Sequence, residues 1–250
     1  MNTQRANFLL FGDSLTQRSF HEGGWGSRLA ALHERTADVV QRGYWGYNSR
    51  WAIQLLPHVF PEGEPVPSLV TILLGSNDAV MPDLGKSESK QHVPIKEFKK
   101  NLKKIIMHIR GLEQSDKAHP TCSITLITPP PIDHDRWQQH RVDNFVPTPP
   151  STRNRCNERT RLYAEAVVQV GIETNTQTID LYTKWSASHQ WQDYLEDGLH
   201  LNPLGNKMLF DALAEVVHSS FPHLRPDVLK PQFPSFAEID PDEFETAFRY

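Results

Sequence analysis

A serine directly follows the first apolar run of this chain. Residues 8–17 read FLLFGDSLTQ, so four apolar residues give way to a glycine, an aspartate and then Ser14. A serine hydroxyl attacks a carbonyl at neutral pH only when a hydrogen-bonded base takes its proton. Serine after a strand is also a common helix cap. Ser14 is therefore a candidate nucleophile only if the rest of the chain supplies a base, a group that orients it, and donors for an oxyanion.

Three other short segments contain residues of the required types. Residues 42–48 read RGYWGYN, residues 75–78 read GSND and residues 197–200 read DGLH. Each also has an ordinary structural interpretation, since glycine relieves crowding in turns, asparagine caps helices, and Asp-x-x-His is common by chance. Their joint occurrence with the Ser14 segment favours a functional site over four independent chance occurrences of structural residues.

The residue types match what acyl transfer requires. Histidine is the usual base because its pKa lies near neutral pH, and a carboxylate on its other ring nitrogen fixes the tautomer. Asp197 and His200 are three residues apart, so a single turn places them on the same side. Oxyanion donors are available from the N–H of Ser14 at a helix N-terminus, the N–H of Gly46 and the side-chain NH₂ of Asn77.

Apolar runs and helical periodicity alternate along the chain. Strands are predicted at residues 7–11, 38–41, 68–74, 123–128 and 177–181. Helices are predicted at residues 25–36, 49–60 and 151–170, from Pro94 to a stop at Gly111, and from Pro203 after an Asn202 cap, while residues 132–150 are expected to be irregular. The alternation predicts an α/β fold around a parallel sheet. Because ligands bind at the carboxyl ends of such strands, the candidate residues are expected to meet at one edge.

The composition excludes several classes of protein. The 250 residues carry a formal net charge of −4, which favours neither nucleic acid nor anionic lipid as a partner. No apolar run approaches the ~18 residues of a membrane span, and the first apolar run is too short for a signal peptide. Cys122 and Cys156 are not spaced as metal ligands and are expected to be free thiols. We therefore expect a soluble, cytoplasmic protein.

The sequence pattern changes after Ser220. Residues 221–250 contain five prolines, interleaved with Phe221, Phe233, Phe236, Phe244 and Phe248. A disordered tail would be poorer in aromatic residues. We therefore expect residues 1–220 to form one domain and residues 221–250 to pack on it or on a neighbouring copy. A homodimer made through this tail is left open.

The four segments together resemble those of the SGNH/GDSL hydrolases. FGDSLT is similar to the nucleophile block of that family, RGYWGYN to the glycine block, GSND to the G-x-N-D block and DGLHLN to the D-x-x-H block. The resemblance implies these roles: nucleophile Ser14, base His200, its partner Asp197, and oxyanion donors Gly46 and Asn77. It also implies a three-layer α/β/α flavodoxin-like sandwich, with a five-stranded parallel sheet in the order 2-1-3-4-5. The resemblance further implies that the protein uses neither a metal nor a cofactor.

Longer segments are similar to the isoamyl acetate-hydrolysing esterase branch of the family. HEGGWGSRLA, QHVPIKEFKKNL and YLEDGLHLNPLGN are among them, and the likeness covers about residues 7–218. It implies that residues 1–220 form an SGNH hydrolase domain acting on small-molecule esters of short acyl groups, acetate foremost. The apolar neighbours of the four segments are expected to line the acyl side of the pocket: Leu15, Trp45, Ala79 and Val80.

The sequence thus predicts a carboxylic ester hydrolase that forms an acyl-enzyme at Ser14. A lysophospholipase or thioesterase and a carbohydrate deacetylase of the same fold remain alternatives. A non-catalytic module that binds phosphate at a helix N-terminus is another, although phosphate cradles are rich in glycine and this loop has one. No G-x-S-x-G segment is present, which excludes the nucleophile elbow of the α/β-hydrolases.

Overall fold

Five apolar segments of the chain form one parallel sheet. The computed structural model describes residues 5–84, 89–115, 122–144 and 153–248. The strands are β1 (Ala6–Gly12), β2 (Ala37–Gly43), β3 (Leu69–Leu73), β4 (Ser123–Ile127) and β5 (Gln177–Ile179). They pair in parallel in the order β2-β1-β3-β4-β5, which confirms the order predicted from the sequence.

Helices cover both faces of the sheet. Within the described ranges they are α1 (Ser14–Gln17), α2 (Trp25–Leu32), α3 (Ser49–Val59), α4 (Ile95–Ser115), α5 (His134–Asn144), α6 (Asn157–Glu173), α7 (Leu181–Ser186) and α8 (Pro203–Ser220). One face packs against α3, α4 and α6, and the other against α2, α7 and α8. The result is the predicted three-layer α/β/α sandwich. Of these helices, none is both long enough and apolar enough to cross a bilayer.

The central strands are apolar on both faces because each face is covered. In β1, Leu9 and Phe11 belong to the core beneath α3, α4 and α6, whereas Phe8 and Leu10 belong to the core beneath α2, α7 and α8. Successive side chains of a strand point to opposite faces, so the unbroken apolar run supplies both cores. Every residue of β3 and of β4 is buried.

Several helices that begin at the carboxyl edge of the sheet carry side-chain caps. Asp13 accepts a hydrogen bond from a backbone N–H at the start of α1, and Asn48 does the same at the start of α3. Asn202 caps α8, with Pro203 at the first helical position, as predicted. Each cap stabilises its helix by about 1 kcal/mol and fixes the residue at which the chain turns from loop into helix.

The helix predicted to stop at Gly111 continues to Ser115. Gly111 has open space where a Cβ would lie, and the next residue, Leu112, is buried and continues the apolar face of α4. A glycine weakens a helix interior by about 1 kcal/mol. That cost is too small to end a helix whose inward face goes on packing.

Residues 132–150, expected to be irregular, contain helix α5. Its buried side chains are Trp137, Gln138 and Arg141. Two of these three are polar, so the inward face has no apolar periodicity for a sequence pattern to detect. Residues 145–150 lie outside the described residues.

Other predicted boundaries differ by a few residues. The strand predicted at 177–181 ends at Ile179, because Asp180 then caps the short helix α7. The helix predicted at 25–36 ends at Leu32, and the helix predicted at 151–170 spans Asn157–Glu173. Residues 151 and 152 lie outside the described part of the chain.

The first part of the C-terminal tail contacts the domain. Leu224 is buried in the core beneath α2 and α8, and its carbonyl oxygen lies 3.1 Å from Nε2 of His33. Further along, Arg35 donates to the carbonyl oxygens of Phe233 and Pro234. Phe236, in contrast, is 89% exposed. The division of the chain at residue 220 and the packing of the whole tail on the domain or on a neighbouring copy stay predictions.

Candidate active site

Ser14 lies at the junction of β1 and α1. At the end of the strand, a Cβ on Gly12 would lie 2.5 Å from the carbonyl oxygen of Leu73, so only glycine allows this close approach. Asp13 then accepts a 2.9 Å hydrogen bond from the N–H of Leu15 and caps the helix. Ser14 is consequently the first helical residue, and it is buried at the carboxyl edge of the sheet.

Asp197 and His200 share one tight turn. Oδ1 of Asp197 accepts hydrogen bonds from the backbone N–H groups of Leu199, at 2.9 Å, and of His200, at 2.8 Å. Gly198 has φ +94°, and a Cβ there would lie 2.5 Å from the carbonyl oxygen of Asp133. The turn therefore depends on glycine for its backbone conformation and for its packing.

The turn presents the imidazole of His200 to Ser14. Nε2 of His200 lies 2.9 Å from Oγ of Ser14, and Nδ1 lies 2.6 Å from Oδ2 of Asp197. A carboxylate only accepts hydrogen bonds, so the proton of the neutral imidazole resides on Nδ1 and Nε2 can accept from the hydroxyl. The structure thus brings together the residues predicted as nucleophile, base and partner of the base.

Burial and charge act in opposite directions on this pair. Burial lowers the pKa of His200 below its ordinary value, while the hydrogen bond and the charge of Asp197 oppose that shift. Burial alone would raise the pKa of Asp197, but hydrogen bonds from the ring and backbone of His200, together with its charge, hold that pKa well below the usual range. At neutral pH the aspartate is therefore ionised and the imidazole is neutral, as a general base must be.

Two tryptophans enclose the imidazole. The ring of Trp45 stacks on His200 with centroids 4.9 Å apart, and the ring of Trp137 meets it edge-on at 5.7 Å. The guanidinium of Arg18 lies 4.8 Å from the centroid of Trp45 and 4.0 Å from Oδ2 of Asp197. These contacts restrict the rotation of the imidazole and remove water from around it.

Gly46 and Asn77 line the same cavity as Ser14 and His200. Gly46 has φ +76°, a conformation that other residues rarely adopt. Nδ2 of Asn77 donates one hydrogen to the carbonyl oxygen of Tyr47 at 2.8 Å. An amide nitrogen carries two hydrogens, so the second one remains for a ligand in the cavity.

The cavity has a volume of about 180 Å³. Polar and apolar groups share its lining, which comprises Ser14, Trp45, Gly46, Asn77, Gln91, Trp137, Arg141, Asn154, Arg155, Leu199 and His200. Trp45 lines it as predicted, whereas Leu15, Ala79 and Val80 are buried elsewhere in the protein core and do not line it. Within the described residues, no cluster of three or more His, Cys, Asp or Glu side chains is placed to hold a metal ion.

Sequence reasoning missed Gln91, Trp137 and Arg155 as residues of the site. Gln91 lies in a short 3₁₀ turn and Trp137 in α5, and Arg155 is 4% exposed. Periodicity does not predict a buried arginine, because charged side chains are ordinarily solvent-exposed. The available signal was the QHVPIKEFKKNL segment, which contains Gln91 and is similar to the esterase branch.

A parallel sheet of this order occurs in proteins of several functions, and the comparisons with known proteins define this chain as a carboxylic ester hydrolase. The family described as GDSL-like Lipase/Acylhydrolase matches residues 10–208, and the chain belongs to it. The chain is 40% identical to a GDSL esterase/lipase of Arabidopsis thaliana, with 98% of each chain covered. It is 36% identical to the isoamyl acetate-hydrolyzing esterase 1 homolog of Homo sapiens, over 94% of this chain and 89% of that one.

Solved structures share the fold at lower sequence identity. A lipase/acylhydrolase from Enterococcus faecalis is 21% identical and has a TM-score of 0.64, with 90% of this chain and 98% of that chain covered. An acetyl xylan esterase is 17% identical and has a TM-score of 0.65, with 84% of this chain and 99% of that chain covered. These likenesses support the α/β architecture.

Proposed function

We propose that the chain hydrolyses carboxylic esters through an acyl-enzyme formed on Ser14. The observation that carries this proposal is the 2.9 Å contact between Oγ of Ser14 and Nε2 of His200. Oγ attacks the ester carbonyl while Nε2 takes its proton, and Asp197 stabilises the resulting imidazolium. His200 then protonates the leaving alcohol as its bond to the acyl carbon breaks. Water attacks the acylated Ser14 in the same way and releases the acid.

The charge of the tetrahedral intermediate falls on hydrogen-bond donors at the edge of the sheet. We assign this role to the N–H groups of Ser14 and Gly46 and to Nδ2 of Asn77. Removal of one such donor lowers kcat by about 10²- to 10³-fold in comparable sites. Asn77→Ala should therefore lower kcat more than it changes KM.

The substrate class proposed is esters with a short acyl group, acetate foremost. The cavity of about 180 Å³ is smaller than the roughly 300–1,000 Å³ of pockets that hold drug-sized ligands. The relatives named as isoamyl acetate-hydrolyzing esterase homologs support a small ester as substrate. We also propose a cytoplasmic location and no nucleic-acid partner, in keeping with the net charge of −4.

Labelling by a fluorophosphonate tests the nucleophile. The wild-type chain should form a covalent adduct and hydrolyse 4-nitrophenyl acetate, and Ser14→Ala should do neither while keeping its fold. Ser19→Ala is the matched control, because Ser19 is a buried serine of the same segment whose hydroxyl has no hydrogen-bond partner among the residues that the structure describes. Turnover by Ser14→Ala at the wild-type rate would refute the proposal.

A series of esters tests the substrate class. kcat/KM should fall from 4-nitrophenyl acetate to the octanoate, because a longer chain exceeds the cavity. A preference for octanoate or for a lysophospholipid would favour a lysophospholipase or thioesterase instead. Faster release of acetate from acetylated sugars than from simple alkyl acetates would favour a carbohydrate deacetylase.

A further inference from the structure

The amide of Asn77 is held in one orientation by groups outside the triad. Arg155 donates through Nη2 to Oδ1 of Asn77 at 2.8 Å, and through Nη1 to the carbonyl oxygen of Ser76. Arginine has no acceptor, so the atom of Asn77 that faces it must be the oxygen. The carbonyl of Tyr47 only accepts, so the atom that faces it must be the nitrogen. Both ends of the amide are thereby fixed.

Gln91 connects the two donor segments of the site. Its Nε2 atom donates to the carbonyl oxygen of Gly46 at 2.7 Å and to Oδ1 of Asn77 at 3.2 Å. Its own backbone carbonyl accepts a hydrogen bond from Asn48 at 2.8 Å, which ties Gln91 to the start of α3. Glycine has the greatest backbone freedom of any residue. A hydrogen bond that restrains the peptide following Gly46 therefore limits the backbone conformation more than it would at another residue.

We propose that Gln91 and Arg155, here called the donor clamp, are positioning residues that hold Gly46 and Asn77 where the oxyanion forms. This inference rests on the proposed function, since it assigns the residues that organise the proposed oxyanion site. Within the described residues, neither residue of the clamp is hydrogen-bonded to Ser14, His200 or Asp197. The charge of Arg155 also lowers the pKa of His200, so Arg155→Lys, which keeps that charge, is the variant that isolates the effect on the oxyanion donors.

The charge of Arg155 strengthens the same donor. Its guanidinium is buried beside the amide oxygen, where electrostatic interactions are less screened than in water. Burial lowers the pKa of Arg155 to about 10, partly offset by the nearby Asp13, so the side chain stays protonated at neutral pH. A cation on Oδ1 polarises the amide and makes Nδ2–H of Asn77 a better donor to an oxyanion.

The test measures kcat per active site, and the number of active sites is determined by titration with a fluorophosphonate. Gln91→Met removes the hydrogen-bonding groups at similar length, and Arg155→Lys keeps the charge but offers a single nitrogen in place of a fork. Gln91→Met should lower kcat about 10- to 100-fold, which is less than the loss of a whole donor, and KM should change less than about threefold. Arg155→Lys should lie between Gln91→Met and the wild type.

A tetrahedral inhibitor separates positioning from a general loss of structure. Affinity for ethylboronic acid, whose hydroxyl occupies the oxyanion position in the adduct, should fall by the same factor as kcat. A merely structural defect would lower the fraction of titratable sites and leave kcat per site unchanged. Arg159→Met is the matched control, because Arg159 belongs to the same region and contacts His92 rather than the donors. It should keep the wild-type kcat.

A double-mutant cycle decides whether Arg155 acts through Asn77. In an Asn77→Ala background, Arg155→Lys should change kcat less than about threefold, because its target is already absent. Additive effects, or a Gln91→Met variant with the wild-type kcat and boronate affinity, would overturn the inference. A failure of the proposed function is distinguishable, since it would appear as turnover by Ser14→Ala whatever the state of the clamp.

Discussion

Replacing Asp197 with asparagine tests whether the carboxylate fixes the tautomer of His200. Oδ1 of Asp197 accepts hydrogen bonds from the backbone N–H groups of Leu199 and His200. In Asp197→Asn those two N–H groups keep the amide oxygen in place. The amide NH₂ must then face Nδ1 of His200, where Oδ2 now lies 2.6 Å away. An NH₂ group facing Nδ1 forces the imidazole proton onto Nε2.

The size of the effect follows from that tautomer. With a proton on Nε2, His200 cannot accept the hydroxyl proton of Ser14, although Ser14 and His200 are still in contact. The same change in a serine protease with these three groups lowers kcat about 10⁴-fold, which corresponds to about 5.5 kcal/mol of transition-state stabilisation. We expect a loss of about 10³- to 10⁴-fold in Asp197→Asn.

The assay is hydrolysis of 4-nitrophenyl acetate from about pH 5 to about pH 9, the range in which histidine titrates. A base must be neutral, so wild-type kcat/KM should rise with pH through the pKa of His200, with a midpoint below the ordinary histidine value because burial lowers that pKa. Asp197→Asn should be slow across the whole range. Glu196→Gln is the matched control, since Glu196 is the exposed neighbour that pairs with Arg18. Activity of Asp197→Asn within tenfold of the wild type would refute the tautomer argument.

Three further predictions concern the framework of the site. Gly198→Ala should lower the free energy of unfolding by about 1–3 kcal/mol and should also lower kcat, because its Cβ would meet backbone atoms at 2.5 Å. Gly111→Ala, in contrast, should raise the free energy of unfolding by about 0.5–1 kcal/mol. Urea unfolding measures the change in each variant. Burial raises the pKa of Asp78 to about 7 and that of Asp13 to about 7 as well, so ionisation of these carboxyls makes the folded state less stable as the pH rises from about 4 through about 7. Asp78→Asn should reduce that slope and leave the contribution of Asp13. Leu224→Ala should cost about 2–5 kcal/mol in thermal unfolding, while Phe236→Ala, at an exposed position, should leave the melting temperature unchanged.

The parallel sheet and the meeting of the candidate residues at its carboxyl edge could be predicted from sequence patterns, whereas the order of the strands is implied by the resemblance to the SGNH/GDSL hydrolases. Apolar runs that are buried on both faces indicate parallel strands, and polar residues directly after β1 and β3 place Ser14 and Asn77 at the same edge. The three-residue spacing of Asp197 and His200 predicts a shared turn, which the structure contains. These features are local patterns combined with a general rule of topology.

The polar wall of the cavity could not be predicted in that way. Trp137 and Arg141 lie four residues apart on the inward face of α5, but an arginine at an inward position reads as a solvent-exposed residue in a sequence. The burial of Arg155 depends on acceptors supplied by Ser76 and Asn77, which are distant in the chain. A hydrophobicity pattern records what a residue prefers on average and contains no information about such partners.

The residues that shield the imidazole of His200 from solvent come from distant parts of the chain. Trp45 comes from the loop after β2 and Trp137 from α5, and together they enclose the ring that the Asp197 turn presents. Their burial of the ring disfavours the imidazolium, while the carboxylate favours it. In the proposed mechanism this opposition is useful, because a base must be neutral before it takes a proton and must hold that proton once the oxyanion has formed. Enclosure alone would give a base too weak to act, and the carboxylate alone would leave more of the base protonated before substrate binds.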